Sequence, residues 1–128
     1  MLTNQLSVFL ENRGGRLNEV LKVLKSSNVN ILSLSLADTS DYGLLRIIVD
    51  DSEKGKAALI EKGFSAKVSK VTILNVSHSV GALNDLVSKL TENGINIEYM
   101  YGLSLYGENA SIVIKTNAPE EVEKIINE

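Results

Sequence analysis

The sequence contains no cysteine, which removes disulfides, thiol nucleophiles and thiolate metal sites together. Tryptophan is also missing, and there is one histidine and one proline. With a single imidazole and no clustered carboxylates, neither a nucleophile–base pair nor a metal constellation can be assembled, so the chain reads as a non-enzyme without cofactor or metal. Long apolar runs are lacking: none reaches the length of a membrane helix. Leu2 to Leu10 has neither the basic start nor the long apolar core of a signal peptide. Positive charge is not in excess either, and a formal net charge of −3 gives no electrostatic ground for binding nucleic acid or an anionic membrane. What remains is the profile of a soluble, cytoplasmic protein of 128 residues, 44% of them hydrophobic.

What the sequence does have is a repeat. Glu11 to Ile31 carries a glycine pair, Gly14 and Gly15, then Leu17, Val20, Leu21 and Leu24 at helical spacing, then Asn28 and the β-type Val29 to Ile31. Ser77 to Ile97 does the same, with Gly81 standing 66 positions after Gly15. At that shift Leu17 meets Leu83, Asn18 meets Asn84, Leu24 meets Leu90, Asn30 meets Asn96 and Ile31 meets Ile97. Asn28 meets Gly94, so both copies end the helix on a residue that tolerates left-handed backbone. Self-similarity of this length implies two units, 1–69 and 70–128, each too small to bury much core alone.

Each unit reads strand, helix, strand, strand, helix, strand. In the first, the strands are Gln5–Glu11, Asn30–Ala37, Leu44–Val49 and Phe64–Val68. Asp51 or Ser52 caps the second helix and Gly63 ends it. In the second, Val71–Val76, Ile95–Tyr106 and Ser111–Lys115 are strands, and Asn117 and Pro119 open the last helix. The chain stops where a last strand should begin, so either the sequence is cut short there or the second unit is one strand short, with its first strand at an edge. The fold class is therefore α+β: two tandem ferredoxin-like βαββαβ units, each an antiparallel sheet with two helices on one face. Val8 beside Phe9, and Leu44 through Val49, are apolar on both faces of the sheet. A second copy is the simplest cover for the helix-free face, giving a homodimer.

Asn12 and His78 stand at equivalent places before the first helix of each unit. Either can bond its own backbone. Asn12 beside the glycine pair also has a ligand reading: a helix start with bare amides attracts a carboxylate or phosphate, and Asn12 adds an acceptor for an ammonium group, together suiting a zwitterion. Gly14-Gly15-Arg16 matches neither phosphate-loop spacing. Arg13 and Arg16 are expected to be solvated. Tyr99 and Tyr101 either pack across strands or line a pocket where the units meet.

Asn12-Arg-Gly-Gly-Arg-Leu17, continuing into Glu19-Val-Leu21 and closing on Val29-Asn-Ile31, resembles the signature of ACT domains, small ligand-binding modules that regulate amino-acid metabolism. Gly94-Ile-Asn-Ile97 matches the closing motif again, so nearly the whole chain resembles a tandem pair of ACT units. The resemblance implies a non-catalytic sensor whose amino-acid ligand lies where two ACT units pair side by side through strand two, setting Leu32–Leu36 against Ile97–Tyr101. It implies Asn12 and Asn30 as the holding pair in the first unit and His78 and Asn96 in the second, with His78 departing from the asparagine. The candidate set read around them is Arg13, Gly14, Gly15, Arg16 and Leu17 in the first unit and Val80, Gly81, Tyr99 and Tyr101 in the second. Two alternatives stand beside this reading. One is a regulatory subunit acting in trans on a biosynthetic enzyme or transcriptional regulator. The other is an RNA-recognition module, which would show aromatics on its central strands and a basic surface, neither of which is read on strands one and three here.

Overall fold

The computed structural model describes residues 1–11, 14–38, 42–104 and 109–127. Six strands and four helices follow in the order β1 (Leu2–Glu11), α1 (Arg16–Ser26), β2 (Ile31–Asp38), β3 (Tyr42–Val49), α2 (Ser52–Glu61), β4 (Ser65–Ser77), α3 (Ala82–Glu92), β5 (Ile97–Ser104), β6 (Asn109–Thr116) and α4 (Pro119–Ile126). The two strands expected at Phe64–Val68 and Val71–Val76 are one strand of 13 residues, because Ser69 and Lys70 supply no turn chemistry to break the extended run.

The first compact unit is Asn4–Ser69. Its strands lie in the order β2-β3-β1-β4, with β1–β3 and β2–β3 antiparallel. Leu6 pairs with Ile47 and Val8 with Leu45, so these four side chains share the face covered by Val20 and Leu24 of α1 and Leu59 of α2. Asp51 caps α2, its carboxylate accepting from the Lys54 amide at 3.1 Å. Gly55 sits where α2 lies tight on this core: a Cβ there would come 3.0 Å from Leu6 and 3.4 Å from Leu24.

The second unit is Lys70–Glu128 together with Met1–Thr3. Its order is β1-β4-β6-β5. Leu74, Val76, Ile112 and Ile114 pack with Leu90 of α3 and Val122 and Ile125 of α4. The division differs from the expected 1–69 and 70–128 at the first three residues, and that difference changes the topology. The place of the missing last strand is taken by Met1–Thr3. Met1 N donates to Ile73 O at 2.6 Å and Ile73 N donates to Met1 O at 2.8 Å, the exchanged pair of bonds of an antiparallel ladder. The expectation that the second unit's first strand is left as an edge is thereby corrected.

The helix-free face departs from expectation only in part. Gln5, Ser7 and Ile48, whose side chains alternate away from the first core, are at most 4% exposed, and Val71 and Val113 are fully buried. Phe9 and Tyr42, on the same face of the first unit, are about half exposed, so this face is covered only in part. Leu32, Leu34 and Leu36 on β2 are likewise each about half exposed. Leu34 pairs with Ile47 and Leu36 with Leu45, on the helix side of the sheet, at an edge the helices do not cover.

Candidate functional site: the two ends of the first helix of each unit

Each unit enters its first helix through a left-handed glycine. Gly15 has φ +86° and Gly81 φ +85°, and no described side chain caps either helix. The glycine carbonyls accept the first helical bonds, from Glu19 N and Asp85 N, both at 3.0 Å. The amides of the first turn point outward from a positive helix end. Gly14 beside Gly15 has open space around its Cα. Asn12 and Arg13 lie outside the described residues. Leu17 packs half-buried against the first core.

Arg16 is not solvated as expected. Its side chain is only 14% exposed and pairs with Glu19. The guanidinium stacks on the Phe64 ring, 4.2 Å from its centroid. It is anchored to its own unit, and its Nε is buried without a hydrogen-bond partner among the described residues.

The far end of each helix is equally built. Asn28 at φ +57° and Gly94 at φ +77° close α1 and α3. Val29 N returns to Leu24 O at 2.9 Å, and Ile95 N to Leu90 O at 3.0 Å. One residue on, Asn30 N donates to Asp50 Oδ1 at 3.0 Å and Asp50 N to Asn30 O at 3.1 Å. In the second unit Asn96 N donates to Asn117 Oδ1 at 3.0 Å and Asn117 N to Asn96 O at 3.2 Å. Asn117, expected to cap the last helix, is spent on this clamp, and Ala118 is the residue before α4. A cleft of about 430 Å³ opens here in the first unit, lined by Leu21, Lys25, Asn28, Asn30, Ile31 and Asp50 among others.

The entrance glycines and Asn30 were expected to serve one ligand. They lie at opposite ends of α1, and 11 residues at about 1.5 Å each separate them by roughly 16 Å. The second unit repeats this with Gly81 and Asn96 across α3. His78 is exposed in the bend before α3, and Val80 beside Gly81 is fully exposed. Tyr99 and Tyr101 pair with Lys115 and Val113, on the face of β5 away from the helices, and are partly buried. Within its own unit β2 hydrogen-bonds to β3, and β5 to β6. Exposed aromatics do stand on β1 and β3, Phe9 and Tyr42, contrary to the reading that these strands present none. On the same face Gln5 and Ser7 are buried, while Glu11 is exposed and Arg46 half-buried.

Among the described residues no three histidine, aspartate or glutamate side chains gather as metal ligands. No helix among them is long and apolar enough to cross a membrane.

The family profile described as ACT domain pair matches residues 1–128. A crystal structure of protein BT0572 from Bacteroides thetaiotaomicron is 35% identical, covering 99% of this chain and 88% of its own, with a TM-score of 0.92. The ligand-free regulatory subunit of aspartate kinase from Thermus thermophilus superimposes with a TM-score of 0.70 at 14% identity, covering 99% and 95% of the two chains. The corresponding subunit from Thermus flavus gives 0.67 at 16% identity, covering 99% and 94%. No curated protein matches the sequence.

Proposed function

This chain belongs to the ACT domain pair family, and from that premise we propose that it is a non-catalytic regulatory protein that binds an amino acid and reports its level to a partner. The observation that carries this reading is the twofold occurrence of one built arrangement: a left-handed glycine opening a helix and an asparagine clamp closing it. The ligand's carboxylate is assigned to the amides of Gly14, Gly15 and Arg16, with Arg13 and Leu17 at the rim. Asn12 and Asn30 are assigned to its ammonium or side-chain group. Gly81, Val80, His78 and Asn96 are the second set, with Tyr99 and Tyr101 of β5 assigned to its wall.

One amino acid is far shorter than α1, so an entrance and an asparagine turn can share a ligand only if they come from two modules side by side. A second copy of the chain supplies that neighbour. The exposed Leu32, Leu34 and Leu36 on edge strand β2 support this reading, since edge strands with apolar side chains invite pairing. Ligand held in such a seam favours the paired arrangement over others and shifts its population.

Isothermal titration with the twenty common amino acids tests the reading. Heat from one or a few of them, with chemically reasonable saturation, is expected. No heat from any, with the folded state confirmed by circular dichroism, overturns it. The second reading, a regulatory subunit acting in trans on a biosynthetic enzyme, is favoured by the likeness to regulatory subunits of aspartate kinase. It requires that a larger enzyme copurify with the tagged chain from its own cell.

A further inference from the structure

Resting on the amino-acid-sensing reading, we propose that the cleft at the C-terminal end of α1 takes the ammonium end of the ligand, with Asp50 as its counter-charge. The second unit lacks this pole, so each chain has one strong site and not two.

The cleft's polar groups are uncommitted. Asp50 gives one carboxylate oxygen to the Asn30 amide, and its Oδ2 meets no hydrogen-bond partner among the described residues. The side chains of Lys25, Asn28 and Asn30 likewise make no hydrogen bond or ion pair with the described residues, though all three line the same space. A helix C-terminus carries partial negative charge and favours a cation, and Asp50 adds a full one beside it. An ammonium group with three donors matches an acceptor-only carboxylate flanked by asparagine oxygens. Lys25 on the rim carries the opposite charge on a flexible stem, which adds to the entrance amides in holding the ligand's carboxylate. Leu21 and Ile31 give the floor an apolar surface for a side chain. At about 430 Å³ the cleft falls in the roughly 300–1,000 Å³ range of small-molecule sites.

The second unit keeps the backbone clamp and loses the charges. Asn117 replaces Asp50, and its side-chain oxygen serves the Asn96 amide as the aspartate does Asn30. Thr91 stands for Lys25, and its hydroxyl is returned to Val87 O at 2.9 Å. Gly94 stands for Asn28 and has no side chain. The clamp is therefore common to both units, and the ammonium pole is an addition in the first.

The test is calorimetry on the full chain with the amino acid that gives the largest heat, its deaminated carboxylic acid, and the variant Asp50→Asn. Asn117 already performs the clamp's task, so Asp50→Asn is expected to fold with an unchanged melting temperature. The proposal requires one molecule bound per chain, at least fivefold weaker binding of the amino acid to D50N, and at least fivefold weaker binding of the deaminated acid to the wild type. The second comparison needs no variant. Binding to the wild type with failure of any of these three overturns the ammonium pole while the sensor reading stands. No binding of any amino acid to the wild type overturns both.

Discussion

Asn30 and Asp50 exchange two hydrogen bonds across 20 residues, and Asn96 and Asn117 exchange the same two in the second unit. An acceptor is needed there because the Asn30 amide has left the helix and has not yet joined the ladder. Asp50→Ala should therefore cost about 0.5–1.5 kcal/mol of stability, while Asp50→Asn should cost almost nothing. Chemical denaturation of the two variants separates a structural loss from a loss of charge.

The paired glycines predict a contrast between neighbours. Gly15 adopts φ +86°, which a side chain resists, so Gly15→Ala is expected to destabilise by about 1–2 kcal/mol. Gly14 has nothing near it and no such angle, so Gly14→Ala should be neutral in stability. Urea midpoints for both variants decide it. Gly81→Ala should behave like Gly15→Ala.

Arg16 and Phe64 should couple. The guanidinium lies over the ring and is mostly shielded from water, so a double-mutant cycle with Arg16→Met and Phe64→Leu is expected to give roughly 0.5–1 kcal/mol of interaction. Additivity of the two changes would show that the stacking contributes nothing.

Leu34 and Leu36 offer a test of self-association. Both are about half exposed on an edge strand, so Leu34→Asp with Leu36→Asp should leave folding intact and convert a dimer to a monomer. Sedimentation velocity at several concentrations reads this directly. A wild type that is monomeric at every concentration sinks the second copy in the seam.

Glu123 predicts a pH dependence. The Met1 ammonium bonds its carboxylate and holds its pKa below the ordinary value of 4.5, although the group is exposed. A carboxylate with a depressed folded pKa stabilises the fold above the unfolded pKa, and that contribution fades as pH falls through the folded one. Glu123→Gln should therefore flatten the loss of stability below about pH 4.5. An identical acid profile in the variant would refute the contribution.

Much of this architecture was legible in the chain. Local rules found α1 and α3, because left-handed residues at Asn28 and Gly94 and the glycines at their starts leave signatures within a few positions. They also found the Asp51 cap. They missed what depends on distant partners. Nothing near Met1 announces that it will pair with Ile73, and nothing near Arg16 announces Phe64. The role of Asn117 was misread because asparagine before Pro119 looks like a cap, whereas its true partner, Asn96, is 21 residues back. That the entrance glycines and Asn30 stand at opposite ends of α1 follows only once the helix is built, since helical rise sets its two ends apart. The cleft at Asp50 was invisible because aspartate after a strand is ordinary turn chemistry.

Strands β1 and β4 each begin in one unit and finish in the other. A first half cut as residues 1–69 would keep Met1–Thr3, which belong to the other unit. Residues 4–69 and 70–128 made separately should thus behave unequally: the later fragment has an uncovered ladder edge at Ile73 that only the opening tripeptide can close. Adding that short peptide in trans would restore it, which makes the beginning of the chain a removable keystone for its end.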